Sequence, residues 1–244
     1  MIERTFQDIP QDRIYEADQE SFLVSLGWSR GMTWTDLLRS KRILMISEAG
    51  AGKTYECRLQ RQRLWGAGEP AFFVELSGLA SEGLLLDAEE EARLTTWRAS
   101  QSDVATFFLD SIDELQLSLG SFERALKRFN KEIGSQLRRA RIVITTRPTP
   151  FDKELVHRLL PIPPPPSNEP REESFANYAM SGRSTPRLEA KDDTDAPEWR
   201  TVALMPLSDD QIAEFAKVQG VEDPTALLGD LRKRNAQELV RRPQ

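Results

Sequence analysis

The chain has 244 residues, 39% hydrophobic and 30% charged, enough for one large α/β domain or for a domain with a small appendage. Lys and Arg number 33 against 39 Asp and Glu, and the resulting net charge of −6 argues against strong nucleic-acid binding as the main role. The single cysteine, Cys57, excludes an internal disulfide framework, and the lone His157 leaves no Cys/His cluster for zinc. No apolar stretch reaches the roughly 20 residues of a membrane span and Met1-Ile2-Glu3-Arg4 opens no signal core, so the expected place is the cytoplasm, away from any membrane.

Residues 1–40 read as a lead-in that ends in a helical pattern, Trp34-Thr35-Asp36-Leu37-Leu38. The apolar run Arg42-Ile43-Leu44-Met45-Ile46 then enters Ser47-Glu48-Ala49-Gly50-Ala51-Gly52-Lys53-Thr54, a strand running through a Gly-rich turn into a helix. This is the layout of a phosphate-binding P-loop, and it implies a nucleoside triphosphate. A polyphosphate needs several backbone N–H groups aimed at it, and Gly50, Ala51 and Gly52 leave the main chain bare, with Glu48 and Ala49 completing the turn. Lys53 reaches the β- and γ-phosphates, Thr54 offers a hydroxyl to Mg²⁺, and the next helix points its positive dipole end at the same anion. The pattern's first position, normally Gly, is Ser47. Trp28 and Trp34 are either core residues or a wall beside the nucleotide base. Cys57, on the helix after the loop, reads as a small buried thiol.

From here strand and helix patterns alternate, the signature of a parallel sheet with crossover helices. Strands are expected at 42–47, 70–76, 105–111, 141–147 and 201–207. The third, Thr106-Phe107-Phe108-Leu109-Asp110, closes an apolar run on a carboxylate, as the Mg²⁺-side acid of a P-loop NTPase does. Phe122, Ala125, Leu126, Phe129, Ile133 and Leu137 form a helical stripe that belongs to the core. His157 is read as structural. At Pro161 the alternation stops: a polyproline stretch and a polar, Pro-rich segment make 161–199 an excursion from the core. Residues 200–244 return as a last strand, then a helix capped by Ser208 and Gln211, with Ile212, Phe215 and Ala216 facing inward. A further helix begins at Pro224.

The residues after Asp110 separate the P-loop classes. Many motor-like ATPases place a catalytic Glu directly after the Mg²⁺ acid, whereas here the order is Asp110-Ser111-Ile112-Asp113-Glu114. With Gly-Lys-Thr before it and Thr145-Thr146-Arg147-Pro148 after it, this order resembles the NACHT branch of the signal-transducing STAND ATPases over about residues 40–150. The resemblance implies an α/β P-loop NTPase: a core over 41–160 whose parallel five-stranded sheet takes its last strand from 200–244, flanked by helices and continued by a small C-terminal helical subdomain. It implies that Asp113, or Glu114 as second choice, orients or deprotonates the attacking water, that Arg147 senses the γ-phosphate, and that Pro243 contacts the base or sugar. Asp113 and Glu114 also read as plain acids at a helix N-terminus. The implied activity is slow hydrolysis of ATP with Mg²⁺, as a switch of the class to which bacterial antiviral sensors belong, with an unknown trigger ligand and self-association in the full-length protein. An AAA-like or DNA-repair motor, or a non-hydrolysing scaffold, are the alternatives.

Overall fold

A computed structural model of the protein describes residues 3–9, 31–48, 50–110, 119–147, 153–163 and 196–234. Ala49, Asp113, Glu114, Pro243 and most of the 161–199 excursion lie outside the described residues.

The strands are β1 (Phe6–Asp8), β2 (Arg42–Ile46), β3 (Ala71–Glu75), β4 (Ala105–Asp110), β5 (Ala140–Thr146) and β6 (Trp199–Leu204), in the spatial order β1-β6-β2-β5-β4-β3. The five expected strands are all present and mutually parallel. The sheet is nevertheless six-stranded and mixed, not the parallel five-stranded one expected. Residues 6–8 of the lead-in add an antiparallel edge strand, pairing Phe6 with Leu204 and Asp8 with Val202. A three-residue strand carries almost no periodic signal of its own, and its backbone groups are satisfied by β6 on one side and by Met32, which exchanges two hydrogen bonds with Phe6, on the other. The last parallel strand also begins earlier than expected, at Trp199.

The helices are α1 (Trp34–Leu37), α2 (Lys53–Gly66), α3 (Leu76–Ser81), α4 (Ala88–Ala99), α5 (Leu119–Ile133), α6 (Lys153–Leu159), α7 (Asp209–Val218) and α8 (Pro224–Lys233). They cover both faces of the sheet. Leu44, Ile46, Phe107, Leu109, Ile142 and Ile144 pack toward α3 to α6, while Ile43, Met45, Phe108 and Val143 pack toward α1 and α2. Burial on both faces explains why these strands are almost wholly apolar rather than alternating. The stripe from Phe122 to Leu137 is fully core, although its last turn tightens into a 3₁₀ segment, Gly134–Arg139. Trp34 is core as well: its ring meets Phe6 and Phe108 edge-on, and its Nε1 donates to Glu56 at 3.4 Å.

At the start of β2 sits Arg42, with none of its surface exposed. Its five N–H donors meet five backbone carbonyls: Leu160 at 3.0 Å, Lys41 at 3.0 Å, Ala140 at 2.6 Å, Leu137 at 3.1 Å and Pro161 at 2.8 Å. Leu137, whose carbonyl also accepts from Ala140 N–H, lies in the 3₁₀ segment, and Leu160 and Pro161 come just after α6, where carbonyls lack helical partners and carry partial negative charge. Burial pushes this guanidinium down to about 10, with Glu198 acting the other way, so it remains a cation at neutral pH. The Arg42 N–H donates to Glu198 O at 2.9 Å, and Lys41 pairs with the Glu198 carboxylate at 3.1 Å. His157 stacks on Trp199 with ring centroids 3.9 Å apart, a structural role as expected.

After β6, Ser208 and Gln211 form the expected capping box, and Ile212 and Ala216 are buried. Phe215, expected to face inward, is 46% exposed. Its helix packs against α8 and the N-terminal segment, with Gln211 Nε2 donating to Glu3 O at 2.6 Å, and the Phe215 side of the helix is left uncovered. Among the described residues no helix is long and apolar enough to cross a membrane.

Candidate functional site

The site lies at the C-terminal ends of the parallel strands, where a strand end, a loop and a helix start converge. β2 is buried throughout, and its pairing with β5 continues one residue further, Ser47 N–H donating to Thr146 O at 3.2 Å. The chain then turns through Gly50 and Gly52, at φ of +74° and +88°. Both are left-handed conformations that a side chain disfavours, which is why the turn takes glycine at these two positions. Gly52 is also the N-cap of α2, and no side chain caps that helix. Its first N–H groups have no partner within the helix and point into the loop, together with the positive end of the dipole. Ala51 is small and turned into the core, leaving its backbone toward the turn.

Lys53, the first residue of α2, donates from Nζ to Ser47 O at 2.6 Å and to Glu48 O at 2.8 Å. Its ammonium is thereby laid across the loop that its own backbone helps to form. Thr54 Oγ1 donates to Asp110 Oδ2 at 2.7 Å, joining the helix start to the end of β4. Leu109 pairs with Ile144, so Asp110 and Thr145 stand side by side, and Thr145 Oγ1 donates to Asp110 Oδ1 at 2.5 Å. Both carboxylate oxygens are therefore oriented by hydroxyls, and Asp110 is buried. Arg147 is exposed, one residue past β5 at the same end of the sheet.

The structure thus brings together Glu48, Gly50, Ala51, Gly52, Lys53, Thr54 and Asp110, with Arg147 at the same sheet edge. Ala49, Asp113, Glu114 and Pro243 lie outside the described residues. Sequence reasoning misses Thr145, because it takes only the arginine from Thr-Thr-Arg. The signal for it is a hydroxyl closing an apolar strand one register step from the carboxylate. Cys57 is fully buried behind the loop, as expected, and burial, then Asp110 and Glu56, pushes its thiol well above the usual range. Among the described residues no group of three or more His, Cys, Asp or Glu side chains is placed to hold a metal by itself.

No protein-family model matches this chain, and no curated protein matches it. Among solved structures it is similar to the ORC1 protein of Aeropyrum pernix in complex with DNA, at 15% identity and a TM-score of 0.35, over 88% of this chain and 50% of that one. The chain thus spans about half the length of the structure it matches. The similar structure is a DNA complex, which stands against the expectation of no strong nucleic-acid binding. That expectation rested on net charge, which is a sum over the whole surface and does not describe any one face.

Proposed function

We propose that this chain is the ATP-binding, slowly hydrolysing switch module of a STAND/NACHT-type signalling ATPase, the class to which bacterial antiviral sensors belong. The observation that carries the nucleotide reading is the convergence, at one sheet edge, of an uncapped helix start, Lys53, and a carboxylate held between Thr54 and Thr145. The STAND reading is supported by the motif order Gly-Lys-Thr, Asp-Ser-Ile-Asp-Glu, Thr-Thr-Arg-Pro.

Phosphoryl transfer requires mainly positioning and charge neutralisation, and the chain's own groups divide that work. The backbone of 50–52 and the start of α2 hold the β-phosphate, and Lys53 exchanges its loop carbonyls for phosphoryl oxygens. Thr54 and Asp110 suit Mg²⁺, since a hydroxyl and a carboxylate are hard oxygen donors that leave room for phosphate and water. Mg²⁺ would supply charge neutralisation across the β- and γ-phosphates. Thr145 keeps Asp110 turned toward Thr54. Asp113, with Glu114 behind it, orients the attacking water, Arg147 stands by for the γ-phosphate, and Pro243 touches the base or sugar.

Calorimetry with ATP and Mg²⁺ tests the reading. Lys53→Ala removes a charge-assisted bond of about 1.5–3 kcal/mol and should weaken affinity at least about tenfold in a folded protein. Unchanged affinity would overturn the proposal. Multiple-turnover phosphate release separates hydrolysis from scaffolding: Asp113→Asn should leave binding intact and slow release.

A further inference from the structure

The residue that departs from the loop pattern, Ser47, carries an observation of its own. It is 4% exposed, and its Oγ has no hydrogen-bond partner among the described residues. Its backbone, by contrast, is fully engaged: the N–H on Thr146 O, the carbonyl on Lys53 Nζ at 2.6 Å. Alternation along β2 puts its side chain on the face of Ile43 and Met45, which α2 covers, at the point where the strand gives way to the loop. A buried hydroxyl without a partner destabilises a protein, whereas Ala or Gly at this position would carry no such penalty. Native structures hold few such groups, and one on the residue that opens the loop, its own carbonyl bonded to the Lys53 ammonium, calls for a partner from outside the chain.

We infer that the Ser47 hydroxyl donates a hydrogen bond to a phosphoryl oxygen of the bound nucleotide, making it a binding residue of the loop rather than a silent replacement for glycine. The inference rests on the nucleotide reading above. A hydroxyl beside Lys53 adds a neutral donor to a charged one, at a point where the carbonyls of Ser47 and Glu48 otherwise present only acceptors to an anion.

The test uses the full chain with ATP and Mg²⁺, reading affinity by calorimetry and the melting temperature with and without nucleotide. Ser47→Ala should melt at or above the wild-type temperature without nucleotide and bind ATP about tenfold more weakly, so that its nucleotide-induced shift shrinks. Ser47→Gly, which restores the glycine of the pattern, should lose affinity to the same degree, tracing the loss to the hydroxyl and not to the added methyl. Wild-type affinity in both variants would overturn the inference while leaving the nucleotide reading in place. A lower melting temperature of nucleotide-free Ser47→Ala would also overturn it, by showing that the hydroxyl already has a partner in the protein. Failure of the wild-type chain itself to bind ATP would remove the nucleotide reading, and this inference with it.

Discussion

The two ends of β2 are built on opposite plans. At its start, the buried Arg42 meets an acceptor with every donor it has, all of them backbone carbonyls. At its finish, Ser47 keeps a buried hydroxyl without a partner among the described residues, α2 has no side-chain cap, and a lysine ammonium rests on loop carbonyls. Three helices away from the loop obey the first plan, since Asp87, Ser208 and Asp223 each cap the helix they precede with a side-chain oxygen, whereas the short α3 after Glu75 has no side-chain cap. One short strand thus separates a guanidinium whose donors are all used from a hydroxyl and a helix start that are not. Polar groups closed on each other contribute stability, while polar groups left open are available to a ligand.

The comparison can be broken by mutation. The largest effect is expected at the closed end. Arg42→Met takes a donor from five backbone carbonyls, of which Lys41 O keeps Ile142 N–H and Leu137 O keeps Ala140 N–H, and these carbonyls cannot be removed along with the cation. Urea unfolding should show a loss of at least about 3 kcal/mol, with the ATP affinity of the folded protein unchanged. A smaller loss would mean that other donors or water replace the guanidinium. At the open end the order reverses, with binding moving more than stability. Asp110→Asn should abolish the Mg²⁺ dependence of ATP affinity, measured by titration with and without the metal. Thr145→Val removes one hydrogen bond to that carboxylate, worth about 1 kcal/mol, and should weaken Mg²⁺-dependent affinity about fivefold. Equal affinity would show that Thr54 alone holds Asp110 in place. The smallest effect belongs to the uncovered side of α7, where Phe215→Ser should change the unfolding free energy by no more than about 0.5 kcal/mol.

Much of the site is legible in the sequence because its chemistry is local. Gly50, Gly52, Lys53 and Thr54 are near neighbours in the chain, and the demand of a phosphate for bare backbone writes itself into that spacing. The five parallel strands are legible because burial on both faces turns each into an apolar run. The hidden features depend on neighbours distant in the chain. Thr145 orients Asp110 from 35 residues away, a relation set by the β4–β5 register rather than by either segment. Arg42 looks like an ordinary charge at a strand start, and four of its five acceptors come from 95 to 119 residues further on. β1 depends on the edge of β6 and on Met32, partners distant in the chain. Phe215 sits on the correct helix, but periodicity tells which residues share a face and not which face another element will cover.

The start of β2 also fixes how the chain can grow. Leu160 and Pro161, which lead into the polyproline stretch, are held by Arg42 through their carbonyls, and Glu198, just ahead of β6, is held by the Arg42 N–H and by Lys41. The sequence between them therefore departs from and returns to one fixed point. Lengthening such a closed detour costs only about 0.6 kcal/mol for each doubling of its length. This is the place where a reporter, an affinity tag or an entire foreign domain can be spliced into the chain without altering the register of any strand.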